Sequence, residues 1–164
     1  MKEFRITKYD PDNRDISGAY LDDEEWICFS EVGTNVSKEE YEQVESNYIE
    51  SAMDLVSATF LTVNDLVGID RASDLHEGKK IEGDEVRRTI KSILRNEYWA
   101  RLESETSFIH IGWDYYMYVG VSKAPYSSVI ERIQNRNLFI ESWTSPYHRE
   151  ECEQVGAGDA EEAV

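Results

Sequence analysis

Hydrophobic and polar positions follow readable periods along most of the chain. At 3–9, Phe4, Ile6 and Lys8 alternate with Arg5, Thr7 and Tyr9, which predicts a strand. The following segment, 10–18, is dense in Asp, Asn, Pro and Gly and predicts a surface loop. Ala19-Tyr20-Leu21 and the run from Trp26 to Gly33 read as a short extended pair. Ser37-Lys38-Glu39-Glu40 has the form of a capping box. Behind it Tyr41, Val44, Tyr48, Ala52, Leu55 and Val56 recur at three- and four-residue steps. They predict an amphipathic helix over about 38–58, with Glu39, Glu42, Glu45, Glu50 and Asp54 on its outer face.

The second half alternates more quickly between elements. Residues 61–69 read as extended and the polar stretch after them as loop. Asp84 opens a second helix, with Val86, Ile90, Ile93 and Leu94 on one face and Arg87, Arg88, Lys91 and Arg95 towards the other. Three aromatic and β-branched runs follow, ending in Tyr115-Tyr116-Met117-Tyr118, and predict an antiparallel meander with Trp113-Asp114 at its second turn. Pro125 suits the first turn of a third helix that turns Val129, Ile130 and Ile133 inward, and 137–142 reads as a last strand. The expected fold is therefore one α+β domain over 1–147, a mostly antiparallel sheet with about three helices. Residues 148–164 are polar, acidic and aperiodic, and are expected to form a flexible tail.

Charge changes this picture most. The 164 residues hold 34 acids and 17 bases, a net charge of −17. Residues 1–60 carry −10, 61–83 carry −2, 84–136 carry +1 and 137–164 carry −6. Adaptation to high salt would spread acid over every exposed face, whereas here the acid is confined to the first third and the tail, and the second helix is basic on balance. A surface of this sign repels nucleic acid and anionic lipid and attracts basic partners. No apolar run is long enough for a membrane span, and the N-terminal residues lack the apolar core of a signal peptide, so the expected location is cytoplasmic. Cys28, in an apolar run, is expected to be a small buried hydrophobe, and a disulfide to Cys152 is not expected.

Motifs for chemistry are sparse. His76, His110 and His148 have no metal-ligand spacing, and no phosphate loop, zinc-protease helix, nucleophile elbow or EF-hand loop occurs. No cofactor or metal is expected. Runs such as Asp22-Asp23-Glu24-Glu25 read as solvated faces rather than acid–base pairs, and His110 as a paired strand histidine. What remains is a binding surface. Trp113, Asp114, Tyr116 and Tyr118 cluster beside a turn, and Tyr and Trp are enriched among interface anchors.

Three segments carry a resemblance. Residues 4–33, residues 110–121 and Trp143-Thr144-Ser145-Pro146-Tyr147 share an Arg-Ile-Thr-Lys-Tyr-x-Pro opening, an acidic stretch before Trp, an Asp-Tyr-Tyr-x-Tyr-Val-Gly run and a terminal Ser-Pro-Tyr. In these patches the chain resembles a widespread group of small bacterial proteins, similar in turn to the acidic immunity-type proteins that neutralise polymorphic toxins. The resemblance implies a non-enzymatic binding protein that masks the cleft of a basic toxin such as a nuclease. It brings no catalytic residues to carry over. The expected contact residues are Glu42, Glu45, Asp54, Trp113, Asp114, Tyr116 and Tyr118. Two alternatives stay open: a nucleic-acid mimic acting on a DNA- or RNA-binding enzyme, as in phage anti-defence, and a small enzyme.

Overall fold

A computed structural model describes residues 1–21, 25–56, 58–68, 74–112 and 114–148. Trp113 and the expected tail beyond His148 lie outside the described residues. Seven antiparallel strands form one sheet in the order β3-β2-β4-β5-β6-β1-β7. The strands are β1 (Lys2–Thr7), β2 (Leu61–Val67), β3 (Lys80–Ile81), β4 (Trp99–Glu103), β5 (Ser107–Ile111), β6 (Met117–Val121) and β7 (Phe139–Ser142). The helices are α1 (Lys38–Leu55), α2 (Asp84–Leu94) and α3 (Ser127–Asn135). The α+β reading thus holds. β4, β5 and β6 form the expected meander, and β1 inserts between β6 and β7, with Arg5 opposite both Tyr118 and Glu141.

Strand alternation divides the sheet into two unlike faces. Ile6, Val63, Leu102, Ile109, Ile111, Met117 and Val119 belong to one buried apolar cluster with Tyr48, Ala52, Ile90, Ile93 and Ile133 of the helices. Ser37 caps α1 by accepting the Glu40 N–H at 3.1 Å. The opposite face carries Arg5, Arg101, Glu103, Phe108, His110 and Tyr118, and it too is covered. The segment after β7 folds back over it, so that Arg5, Arg101, His110 and Ser145 are all buried. Ser145 Oγ lies 2.8 Å from His110 Nδ1, and the Ser145 N–H donates to Glu3 at 2.9 Å. Arg101 donates to the Tyr147 carbonyl at 3.1 Å, and Tyr147 packs edge-on to Tyr118, 5.8 Å between centroids. Gly120 is required beneath this cover: a β-carbon there would fall 2.0 Å from the Phe108 ring, which stacks on His110.

Three local expectations are corrected. The run from Trp26 to Gly33 is not extended: Phe29–Glu31 is a 3-10 turn, because Glu31 reaches back to accept the Ile27 and Cys28 N–H groups at 2.7 and 3.1 Å. Cys28 is therefore half-buried rather than buried, its thiol 3.0 Å from Ser30 Oγ. β3 arises inside the stretch read as loop, where Ile81 lies opposite Leu61.

Candidate binding site

The acids of α1 give the first test of the expected interface. Glu45 is not on the outer face. It is 3% exposed and lies between α1 and α2, where Arg95 donates to both carboxylate oxygens, from Nε at 2.6 Å and from its second terminal nitrogen at 2.8 Å. Lys91 stands 3.7 Å from the same carboxylate. Glu50 pairs with Arg87, and Asp54 with Arg132 and Arg136. Burial opposes ionisation of Asp54, but the two guanidinium groups outweigh it and hold its carboxyl below the ordinary range. Glu42 is exposed beside Lys38. Glu45, Glu50 and Asp54 are thus neutralised by bases on or just after α2 and α3, while Glu39, Glu40 and Glu42 stay exposed.

Tyr118 is likewise withdrawn. It is buried beneath Tyr147, with burial raising its pKa, and cannot contact a partner while that cover is closed. Asp114 and Tyr116 have a different setting. They lie in the β5–β6 connection and line a cavity of about 520 Å³ together with Tyr9, Tyr20, Glu25, Cys28 and Glu31. Sequence reading missed Tyr9, Tyr20, Glu25 and Glu31 as partners of Asp114.

The walls of this pocket are cross-linked. Tyr9 stacks on Tyr20 at 4.5 Å and meets Tyr116 edge-on at 5.6 Å. The Tyr9 hydroxyl donates to the Asp114 carbonyl at 2.9 Å, and the Tyr20 N–H donates to the Tyr116 hydroxyl at 3.2 Å. The backbone between Asp114 and Tyr116 turns at Tyr115, whose φ of 61° is an uncommon conformation for a bulky residue. A buried cage fixes it. The Tyr115 ring packs on Trp26, Tyr41 and Tyr48, its hydroxyl donates to that of Tyr41, and the Tyr48 hydroxyl donates to its carbonyl at 2.8 Å. Asp114 and Tyr116 are thus presented from a rigid base.

Electrostatically the pocket is acidic. Glu25 is matched by Lys8, 2.8 Å away. No ion pair among the described residues reaches Asp114 or Glu31. Hydrogen bonds from the Ile27 N–H and from Asn35 keep Glu31 readily ionised, whereas burial raises the pKa of Asp114. The adjoining loop adds Asp10, Asp12 and Asp15, all exposed.

A second polar cluster invites a catalytic reading and does not sustain it. Glu103, His110 and Ser145 form a chain, with His110 Nε2 3.0 Å from Glu103 and Nδ1 2.8 Å from Ser145. A nucleophilic serine needs N–H donors for the developing oxyanion. Here the Ser145 N–H is held by the Glu3 carboxylate, whose negative charge would oppose that oxyanion. Ser145 Oγ also accepts the Tyr147 N–H at 3.2 Å, so the arrangement ties down the segment after β7. Among the described residues no group of three or more His, Cys, Asp or Glu is placed to hold a metal, and no helix is long and apolar enough to cross a membrane. No family model, curated protein or solved structure matches the chain.

Proposed function

We propose that this chain is a non-enzymatic acidic binding protein that engages a basic protein partner through the pocket of Tyr9, Tyr20, Tyr116, Glu31 and Asp114. In its most concrete form it is an immunity-type inhibitor that masks the cleft of a basic toxin such as a nuclease. The observation that carries this reading is the division of the acid. Glu45, Glu50 and Asp54 of α1 are tied to bases on or just after α2 and α3, whereas Asp10, Asp12, Asp15, Glu31 and Asp114 gather on and beside an aromatic-walled cavity without ion pairs among the described residues. Opposite potentials speed encounter, and tyrosine anchors then supply lifetime. The resemblance to immunity-type proteins through the 4–33 and 110–121 segments, which line this pocket, points the same way. A nucleic-acid mimic would need a long unneutralised ridge of carboxylates, and the paired acids of α1 weaken that alternative.

The test is affinity capture from the native host at low and moderate salt, followed by kinetics with the captured protein. The expected result is one stoichiometric basic protein whose activity is inhibited. Its association should slow as salt rises, and should slow about tenfold or more when Asp10, Asp12 and Asp15 are changed to Asn. A partner whose association ignores both salt and these substitutions would overturn the electrostatic reading.

A further inference from the structure

Resting on that reading, we infer that the pocket is a receptor for a single arginine side chain of the partner. The guanidinium would lie against the tyrosine walls, its N–H donors reaching Asp114 and Glu31. Three observations converge on this chemistry.

The first is the cavity itself. At about 520 Å³ it falls within the range of small-ligand sites, and three tyrosines wall it. Their mutual hydrogen bonds and stacking fix them before any ligand arrives, so little ordering cost falls on binding.

The second is its charge. Three carboxylates line it and no base does. Lys8 answers Glu25, and Arg5 is engaged by Glu141. Glu31 and Asp114 therefore line one cavity and neither is ion-paired among the described residues, although the charge of Arg5 reaches Asp114 and that of Lys8 reaches Glu31. Asp114 is partly withdrawn from water, which a carboxylate tolerates best when a cation joins it.

The third is how the protein treats these rings elsewhere. Arg5 places its guanidinium 5.0 Å from the Tyr116 centroid and 3.6 Å from that of Trp143. Lys8 places its ammonium 4.3 Å from Tyr9 and 4.1 Å from Trp26. Two rings of the wall, Tyr9 and Tyr116, thus already carry a cation on one face. Arginine suits the remaining cavity better than lysine. Its planar, weakly hydrated fork lies flat on tyrosine and donates to two carboxylates at once, whereas an ammonium stays strongly hydrated and bonds as a point.

The experiment titrates the full chain with three blocked tripeptides, Gly-Arg-Gly, Gly-Lys-Gly and Gly-citrulline-Gly, and follows backbone amide shifts. Citrulline keeps the shape of arginine and removes its charge. The arginine peptide should give saturable shifts centred on residues 9–31 and 114–116, and the citrulline peptide should bind about tenfold more weakly or less. Asp114→Asn, a near-isosteric change whose fold the same spectrum reports, should lower arginine affinity about tenfold, and Glu31→Gln should also weaken it. Acidification should weaken it in the wild type from a higher pH than in Asp114→Asn, where Glu31, held low by its hydrogen bonds, remains to titrate. Equal binding of citrulline or lysine, or shifts centred on the α1–α2 groove, would overturn the inference. So would the absence of saturable binding. If the arginine peptide fails while a basic partner is still captured and inhibited with the salt dependence above, only this inference falls. If no partner is captured either, the functional reading falls with it.

Discussion

Glu42 and Glu45 lie three residues apart on α1, and replacing each by Ala should have very different consequences. Glu45 is 3% exposed and holds Arg95 through two charge-assisted hydrogen bonds. Removing one member of a buried pair costs roughly 3–5 kcal/mol, because the other charge is left behind. Arg95 retains 19% side-chain exposure and its contact with the Phe29 ring at 4.9 Å, so part of its hydration is recoverable. That places Glu45→Ala at about 2–3 kcal/mol. The Glu42 side chain is 48% exposed, with Lys38 at 3.7 Å and Arg95 at 4.0 Å, the setting in which ion pairs contribute about 0–1 kcal/mol. In urea, with a slope of about 2 kcal/mol/M, Glu45→Ala should lower the midpoint by about 1–1.5 M and Glu42→Ala by less than about 0.5 M. The Glu45 effect should survive high salt, since buried pairs are little screened. Equal shifts for the two variants, or a Glu45 effect abolished by salt, would refute the placement of Glu45 between the helices.

Three further outcomes follow from the packing. Gly120→Ala should destabilise by about 1–3 kcal/mol in thermal unfolding, because its β-carbon displaces the Phe108 ring from Gly120 and from its stack on His110; a neutral effect would contradict the cover on that face. Tyr48→Phe should cost about 1–2 kcal/mol, since its hydroxyl serves both the Lys8 N–H and the Tyr115 carbonyl, and a urea midpoint unchanged from wild type would count against the cage. The pH profile should also be sloped. Burial lowers the pKa of His110, so the unfolded chain binds more protons as pH falls below about 6.5, and stability declines from there at up to about 1.4 kcal/mol per pH unit until the folded-state pKa is passed. The carboxyl of Glu103 is held low by the His110 hydrogen bond, against the opposing effect of burial. That of Glu3 is held low by His148 and the Ser145 N–H, again against burial. Their contribution is present above the ordinary Glu pKa of about 4.3 and is lost as pH falls further. His110→Gln should flatten the upper part of this profile, and a profile unchanged by it would contradict the assignment.

Local periodicity carried much of the fold. Tyr41, Tyr48, Ala52 and Leu55 mark the buried stripe of α1, and Val86, Ile90, Ile93 and Leu94 that of α2, as spacing alone predicts. The misplacement of Glu45 shows where chemistry misled the eye. It sits four residues after Tyr41 and three before Tyr48, inside the stripe, and its charge argued for the outside until Arg95 supplied a buried partner. The covered back face was illegible for another reason. Arg5, His110, Tyr118 and Ser145 come from four distant stretches, and only the insertion of β1 between β6 and β7 and the return of the chain after Ser142 bring them together. The segments that carry the resemblance meet on that face and at the pocket. Part of their pattern therefore reflects packing: Tyr115 is a cage residue and Tyr118 a floor, while Asp114 and Tyr116 line the cavity.

The most direct test of the central claim is amide hydrogen exchange on the full chain, alone and bound to its captured basic partner. New protection is expected at residues 9–31 and in the β5–β6 connection around Asp114 and Tyr116, with the exposed side of α1 unchanged. Protection centred on Glu39, Glu42 and Glu50 of α1, with none around the tyrosine pocket, would contradict it.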